Sequence, residues 1–405
     1  MKILVVCQHY YPEQFRINDI CCTLASLGYD VTVLTGLPNY PEGKIYAGYR
    51  WFKRRKEIIS GVKVIRVPVI ARGKNLIRRS LNYISFAINA AIKVLFLERD
   101  YDVVFVYQLS PVTMAIPALV YKKLTNTKVY LYCLDLWPES LLAGGIKPSS
   151  IIYKIFLHIS KKIYNNVNSI SVTSLCFIDY FSKVIGLNKA DIKYLPQYVE
   201  DIYITVNREN KKTDNSDTIN LLFAGNIGKM QSVETIIRAA AELRDEPNIK
   251  WHIVGDGSER EKCEKLAKSL GLLGNNVIFY GQRPISEMPE FYSKASAFLV
   301  TMKDNGFISY TLPGKIQSYM AAGKPIIGAI NGEAQRIIRE SNCGLCCAAE
   351  DYKSLAKLVK QFVNEKEKHY EYSQNAIDYY NKHFRKDAFI SNLLEDLKRL
   401  SKERA

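Results

Sequence analysis

Short, continuously apolar segments alternate with amphipathic ones along most of this chain, and that alternation constrains the fold more than any other feature. Lys2–Cys7, Asp30–Thr35, Val62–Val67, Asp102–Gln108 and Lys128–Leu134 read as strands. A helix over Asn18–Leu27 is closed by Gly28, and another is opened by Ser110-Pro111. Strands this uniformly apolar belong in a parallel sheet covered on both faces. The run Asn207–Asp217 holds no apolar residue and reads as a surface linker or loop. After it the rhythm restarts, with strands at Ile219–Ala224, Trp251–Val254, Val277–Tyr280, Ala297–Val300 and Pro325–Gly328. Helices over Val233–Leu243, Glu259–Leu270, Met288–Ala295 and Pro313–Ala322 lie between them. The expected architecture is α/β, two doubly wound Rossmann-like domains facing across a cleft. A length of 405 residues suits two domains. The boundaries are expected at 1–205 and 206–375, with an amphipathic, basic tail, 376–405, crossing back to the first domain.

The chain carries 56 Lys+Arg against 40 Asp+Glu, net +16, an excess that attracts anions: nucleic acid, anionic membrane or phosphorylated ligands. The first apolar run, Met1–Cys7, is too short for a signal peptide. No uninterrupted apolar stretch reaches 18 residues. Leu81–Leu97 comes nearest but contains Asn82, Asn89 and Lys93, so no spanning helix is expected. The nine cysteines are scattered and read as cytosolic thiols. Cys343 and Cys346 have zinc-ligand spacing without a second pair nearby.

In doubly wound sheets, ligands bind beyond the carboxyl ends of the strands. Three glycine turns follow strands in the second half: Gly225-Asn226-Ile227-Gly228, Gly255-Asp256-Gly257 and Gly281-Gln282-Arg283. Each alone is an ordinary strand-ending turn; together they point to a nucleotide or phosphate pocket at helix N-termini. None completes a dinucleotide or P-loop fingerprint. The loop Asp304–Lys315 runs into a helix that Thr311 is expected to cap. Lys315 in its first turn opposes the helix dipole unless an anion binds there, so Lys315 is a candidate phosphate contact. Asp100-Tyr101-Asp102 has the spacing of a metal motif but starts a strand, the wrong end for a site, and no metal is expected.

In the first half, Asp135-Leu-Trp137-Pro-Glu139 ends a strand. Two carboxylates beside an indole suit sugar recognition, the competing reading being a loop packed by Trp137. The loop His9–Glu13 faces the same side. His158 reads as a core histidine. Arg72, Lys74, Arg78 and Arg79 precede the apolar stretch Leu81–Leu97. Such a pattern either docks on an anionic bilayer or is a core helix with a solvated basic start.

These residues resemble the retaining GT-B glycosyltransferases of family 4, within them the bacterial O-antigen and capsule group near the L-fucosamine transferases. The resemblance rests on Tyr11-Pro12-Glu13, Thr35–Gly43 with Asn39, Asp135–Ser140, Phe223–Gly228 with Gln231, Val254–Gly257 and Leu312–Pro325. It implies a nucleotide-sugar donor in the C-terminal domain and an acceptor in the N-terminal one. It also implies retention by front-face attack, with no metal and no cofactor. The catalytic residues it suggests are Asp135, Glu139 and Lys315. Donor contacts are expected from Gly225, Asn226, Gly228, Gln231, Gly255 and Gly257, and from Arg283, Tyr310, Thr311, Lys315, Ser318 and Glu333. Acceptor contacts are expected from Tyr11, Glu13, Asn39 and Trp137, and bilayer contacts from Arg72, Lys74, Arg78 and Arg79. The sequence departs from the family at its Glu-(seven residues)-Glu motif, where Tyr310 and Ser318 stand. The diphosphate-clamping Arg and Lys fall on Asn226 and Gln231. Lys315 is then the remaining cation and Glu333 the nearest carboxylate.

The leading expectation is an enzyme moving an N-acetylated amino sugar from a UDP donor to a polyprenyl-diphosphate-linked saccharide. It would work at the cytoplasmic face of the inner membrane, in O-antigen (lipopolysaccharide) or capsule synthesis. A UDP-sugar 2-epimerase of the same fold is the alternative. It would need stronger acid–base groups than the C-terminal loops hold. A nucleic-acid-binding protein is the third reading; no basic-aromatic motif supports it, and no nucleic-acid partner is expected.

Overall fold

The computed structural model describes residues 1–73, 75–209, 218–304, 306 and 308–403. Lys74 and residues 210–217 of the expected linker lie outside them. The chain divides into two compact units, Met1–Leu195 with Ile390–Ala405, and Pro196–Phe389. The division falls ten residues before the expected boundary at 206, and the polar run's first residues end a helix, Ile202–Glu209, of the second unit. The return to the first unit begins at Ile390 rather than 376: the helix His369–His383 packs with the second unit, and only the last one goes back.

The first unit contains strands β1 (Lys2–Val6), β2 (Asp30–Gly36), β3 (Lys56–Ile59), β4 (Val62–Val67), β5 (Val103–Gln108), β6 (Lys128–Cys133), β7 (Ser169–Val172) and β8 (Ile192–Tyr194). Its helices are α1 (Arg16–Ser26), α2 (Leu76–Val94), α3 (Ile116–Thr125), α4 (Ile151–Tyr164) and α5 (Leu175–Tyr180). The sheet order is β3-β4-β2-β1-β5-β6-β7-β8, parallel except for the antiparallel β3–β4 edge. Ile3–Val6 and Val103–Val106 are fully buried, as strands covered on both faces must be.

The second unit begins with α6 (Ile202–Glu209) and continues with β9 (Ile219–Ala224), α7 (Val233–Glu242), β10 (Ile249–Val254), α8 (Arg260–Ser269), β11 (Val277–Gly281), α9 (Met288–Lys294), β12 (Ala297–Thr301) and α10 (Gly314–Ala321). β13 (Ile326–Ala329), α11 (Glu333–Ser341), β14 (Gly344–Cys347), α12 (Tyr352–Asn364) and α13 (His369–His383) follow. The last helix, α14, spans Lys386–Lys402. The order β11-β10-β9-β12-β13-β14 is parallel throughout. Two apolar layers sandwich this sheet. Phe223, Trp251 and Leu299 face one, Leu222, Phe298 and Tyr319 the other. Successive strand side chains alternate faces, so one strand feeds both layers.

Strand order reverses between β1 and β5 in the first sheet and between β9 and β12 in the second. Loops leaving the carboxyl ends of such strand pairs diverge and leave a crevice. In the second unit these are Gly225–Gln231 and Met302–Pro313; in the first, Cys7–Phe15 and Leu109–Val112.

Candidate active site

The crevice of the second unit is built by close backbone approach. Gly225 donates its N–H to Val254 O (2.9 Å) and Gly255 donates to Gly281 O (2.8 Å). A Cβ on Gly255, whose φ is +143°, would lie 1.8 Å from Gly225 O, so only glycine fits. Ile227 N–H donates to Asp256 O (2.8 Å), tying two of the glycine turns together. On the other wall, Thr301 Oγ1 donates to Gln231 O (2.7 Å) and Lys303 N–H to Met230 O (2.8 Å).

Lys315 is the central group. Tyr319, one turn later on α10, exchanges hydrogen bonds with the main chain of Ala224 (3.0 and 3.2 Å) and stacks on Phe298 at 4.0 Å. That anchor sets Lys315 over the end of β9. Its Nζ sits 3.6 Å above the Phe223 ring and 3.2 Å from where a Gly225 Cβ would be. The stem is half-buried, but Nζ itself is inaccessible and has no hydrogen-bond partner among the described residues. Burial pushes the lysine down to about 7. The N-cap of α10 is Pro313, without a side-chain cap, so Thr311 is not the cap the sequence suggested. α11 likewise starts at Gly332 without one. A lone buried cation beside uncapped helix amides is suited to an oxyanion.

The other expected donor residues divide. Asn226 and Gln231, at the positions of the family's clamping cations, hydrogen-bond each other (3.2 Å) across Gly228. Arg283 is exposed, donating to Tyr280 O (3.1 Å). Tyr310 is 37% exposed. Ser318 is a correction: it is buried, donates to Lys315 O and contacts the Tyr292 hydroxyl (3.3 Å), in the packed layer rather than at an open surface. Glu333 is fully buried and paired with Arg336 at 2.8 Å. It is a helix-terminal ion pair rather than a free carboxylate.

In the first unit the structure corrects four expected contacts. Glu13 is 1% exposed; it accepts from the main-chain N–H groups of Asn39 (2.7 Å) and Tyr40 (2.6 Å) and meets His9 Nδ1 at 3.0 Å. Asn39 is equally buried, receiving Arg72 N–H (3.0 Å). Both lace loops together instead of facing a ligand. Trp137 is buried against Phe156 (5.3 Å), with its indole N–H on Ser110 Oγ (2.9 Å), and has no free face for a sugar. Glu139 is buried and accepts from the Tyr153 hydroxyl (2.7 Å).

Asp135 remains partly accessible at the end of β6 and accepts from Ser110 Oγ (2.9 Å). Desolvation raises its carboxyl, and the Ser110 hydrogen bonds oppose the rise. Tyr11 is 45% exposed, its carbonyl held by the buried Arg66 (2.7 Å). Ser110, which bridges Trp137 and Asp135, and Arg66 escaped the sequence reading. Ser110-Pro111 was legible only as a helix start, and Arg66 lies inside a strand.

Asp102 accepts Lys2 N–H (2.6 Å) at the amino edge of the sheet. Among the described residues no group of three or more His, Cys, Asp or Glu side chains could hold a metal ion.

Comparison with known proteins decides the class. Residues 206–379 match the model of glycosyl transferases group 1, and residues 14–197 that of the glycosyl transferase 4-like domain. The chain is a glycosyltransferase built from these two domains. It is 26% identical over 343 residues to a protein named for colanic acid biosynthesis, the glycosyl transferase WcaI of Escherichia coli, covering 80% of this chain and 82% of that one. Against WbjE of Pseudomonas aeruginosa, named as a glycosyltransferase, identity is 26% over 61% of this chain and 62% of the other. The solved structure of Anabaena HepE with UDP superposes with TM-score 0.71 at 15% identity, over 98% of this chain and all (100%) of that one. WaaG, a glycosyltransferase of lipopolysaccharide biosynthesis, gives 0.61 at 17% identity, over 94% and 95%. These superpositions show the GT-B fold, two Rossmann-like units.

Proposed function

We propose that this glycosyltransferase moves an N-acetylated amino sugar from a UDP donor to a polyprenyl-diphosphate-linked saccharide, with retention and without metal, during O-antigen or capsule synthesis. The observation that carries the donor half is the unpartnered Nζ of Lys315, held beside the uncapped start of α10 and the rim at Gly225. A diphosphate placed there favours the charged lysine, which takes up a proton from solvent; it also takes the helix amides, and its growing negative charge is stabilised as the glycosidic bond breaks. UDP is favoured among nucleotides by HepE, whose solved structure holds it.

On the acceptor side, Asp135 is the carboxylate available to hold a sugar hydroxyl. The hydroxyl oxygen forms the new bond to the anomeric carbon, and its proton passes to the leaving phosphate. Tyr11 offers an exposed ring nearby in sequence to the laced loops. Glu139 and Trp137 then shape the Asp135 loop from behind. Asp135→Asn should lower kcat by about 10- to 150-fold, the scale of a hydrogen bond to a charged group, with the UDP-induced rise in Tm unchanged. Steady-state transfer assays check this, and an unaltered kcat removes Asp135 from the mechanism.

Three cheap measurements test the whole reading. A thermal-shift panel of nucleotide sugars should give its largest rise with UDP-sugars, since ligands that bind the native state stabilise it. Transfer should survive EDTA; loss restored by Mg²⁺ or Mn²⁺ would overturn the metal-free mechanism. Conversion of a UDP-sugar to its epimer without acceptor would favour a 2-epimerase instead.

A further inference from the structure

The membrane segment reads differently in three dimensions than in sequence. Of the expected cluster, Lys74 is outside the described residues. Arg72 is half-buried over the Tyr40 ring (5.0 Å), and Arg79 has a buried Nε without a partner. Only Arg78 of the described three is exposed. The cluster is therefore not a free basic patch.

The helix behind it has two apolar faces. Phe86, Ala87, Ala90 and Val94 are buried in the core. Ile77, Leu81, Ile84, Ile88 and Ile92 repeat at helical spacing on the other side, 41% to 73% exposed, and Phe96 just past the helix is 74% exposed. At 1.5 Å per residue the ridge is about 25 Å long. α3 packs beside α2 in the same unit. The start of α4 adds exposed Ile151, Ile152 and Ile155. Between α3 and α4 runs a groove of about 770 Å³ lined by Ile116, Leu119, Ile159 and Ile163, with Lys122, Lys123 and Lys162 along it. His158 is exposed in this groove, not in the core.

Charge completes the picture. α2 carries Arg78, Arg79 and Lys93, α3 carries Lys122 and Lys123, and α4 carries Lys154, Lys161 and Lys162; none of the three holds an Asp or Glu. Glu98 and Asp100, which follow α2, are both paired with Lys2. Protein–protein interfaces are depleted in lysine. An apolar ridge on helices whose charged residues are all lysine or arginine instead matches the boundary of an anionic bilayer, where apolar side chains enter and cations meet headgroups. Among the described residues no helix is long and apolar enough to cross a membrane.

We propose that the exposed side of α2, α3 and α4 together is a surface that docks flat on an anionic phospholipid bilayer. The α2 ridge and the start of α4 insert, and the lysines of α3 and α4 contact headgroup phosphates. The proposal rests on the lipid-linked acceptor reading only in supplying a reason to be at a bilayer.

The test is co-sedimentation of the full chain with vesicles of phosphatidylglycerol and phosphatidylcholine, and with phosphatidylcholine alone. Wild type should bind the anionic vesicles at least tenfold better. Ile84→Asp with Ile88→Asp should lower binding at least tenfold. Lys154→Gln, Lys161→Gln and Lys162→Gln together should lower it by roughly fivefold per charge removed. Both variants change exposed positions, apart from the half-buried Lys161, and should keep the UDP-induced Tm shift, which controls for folding. Wild-type binding in the α4 triple variant overturns the three-helix surface. A wild type that ignores vesicles, with a dimer that the Ile84/Ile88 variant dissociates, assigns the ridge to a second copy instead. If vesicle binding behaves as expected but no sugar transfer occurs to any acceptor, the transfer reading fails while the docking surface stands.

Discussion

Lys315→Met should weaken UDP binding about 10- to 150-fold, the equivalent of ~1.5–3 kcal/mol for a hydrogen bond to a charged group. The same change should make the unliganded protein more stable. Lys315 is pushed down to about 7 by burial, from an ordinary 10.5. Between those pH values the unfolded chain binds a proton that the native state does not, so this group makes stability rise with pH across that window. Methionine removes that slope and the cost of a buried cation, so Tm at pH 7 should rise by about 2–6 °C. UDP affinity of the wild type should fall from pH 7 to 9, as the free lysine loses its proton. The ligand's own phosphate, with a second ionisation near 6, is already fully charged there, as ~pH 6 is typical of such groups. The variant should be flat over that range. Titration calorimetry at both pH values, with thermal melts, checks all three statements. Equal UDP affinity in wild type and variant removes Lys315 from the donor site.

The second large effect is expected at Glu13. Glu13→Ala leaves the N–H groups of Asn39 and Tyr40 and the His9 ring without their common acceptor. Each buried donor left unsatisfied costs about 1–3 kcal/mol, roughly 3–5 kcal/mol for the set. Urea unfolding should register that loss. Glu13→Gln keeps a carbonyl oxygen for the two N–H groups and should recover more than half of it. The UDP-induced shift should persist in both, since the proposed donor groups lie in the other unit. An alanine variant that is fully stable but loses transfer would return Glu13 to the role of an acceptor contact. Because the loop from Asn39 is positioned through Glu13, the destabilised variant should also show a raised acceptor KM.

The two predictions differ in how visible their residues were beforehand. Lys315 was legible because a cation in the first turn of a helix is locally unfavourable, and the preceding strand-turn pattern placed it at the carboxyl end of a sheet. Glu13 was legible only as part of a motif. Whether a carboxylate faces solvent or the backbone of another loop depends on where Asn39 and Tyr40 arrive, and nothing within a few residues of Glu13 encodes that. Trp137 misled for the same reason: an indole in a loop is equally good at covering a sugar or filling a core, and Phe156 and Ser110 decided between them.

The same physics separates what was readable in the fold. Long, uniformly apolar strands such as Val103–Gln108 and Ile219–Ala224 could be placed to within a residue, because covering both faces demands an unbroken apolar run. The short strands Ser169–Val172 and Gly344–Cys347 could not, since four residues mixing serine, glycine or cysteine carry no period. Local sequence also determined the positive-φ glycines that let Gly225 and Gly255 touch. Tertiary structure alone decided which carboxylates were spent on structure, that Asn226 and Gln231 pair with each other, and that Ile77, Ile84 and Ile88 have no core to enter. A helix with apolar residues all round reads as buried; only the sheet beneath it, already filled by Phe86 and Ala90, shows that the opposite side was left outside.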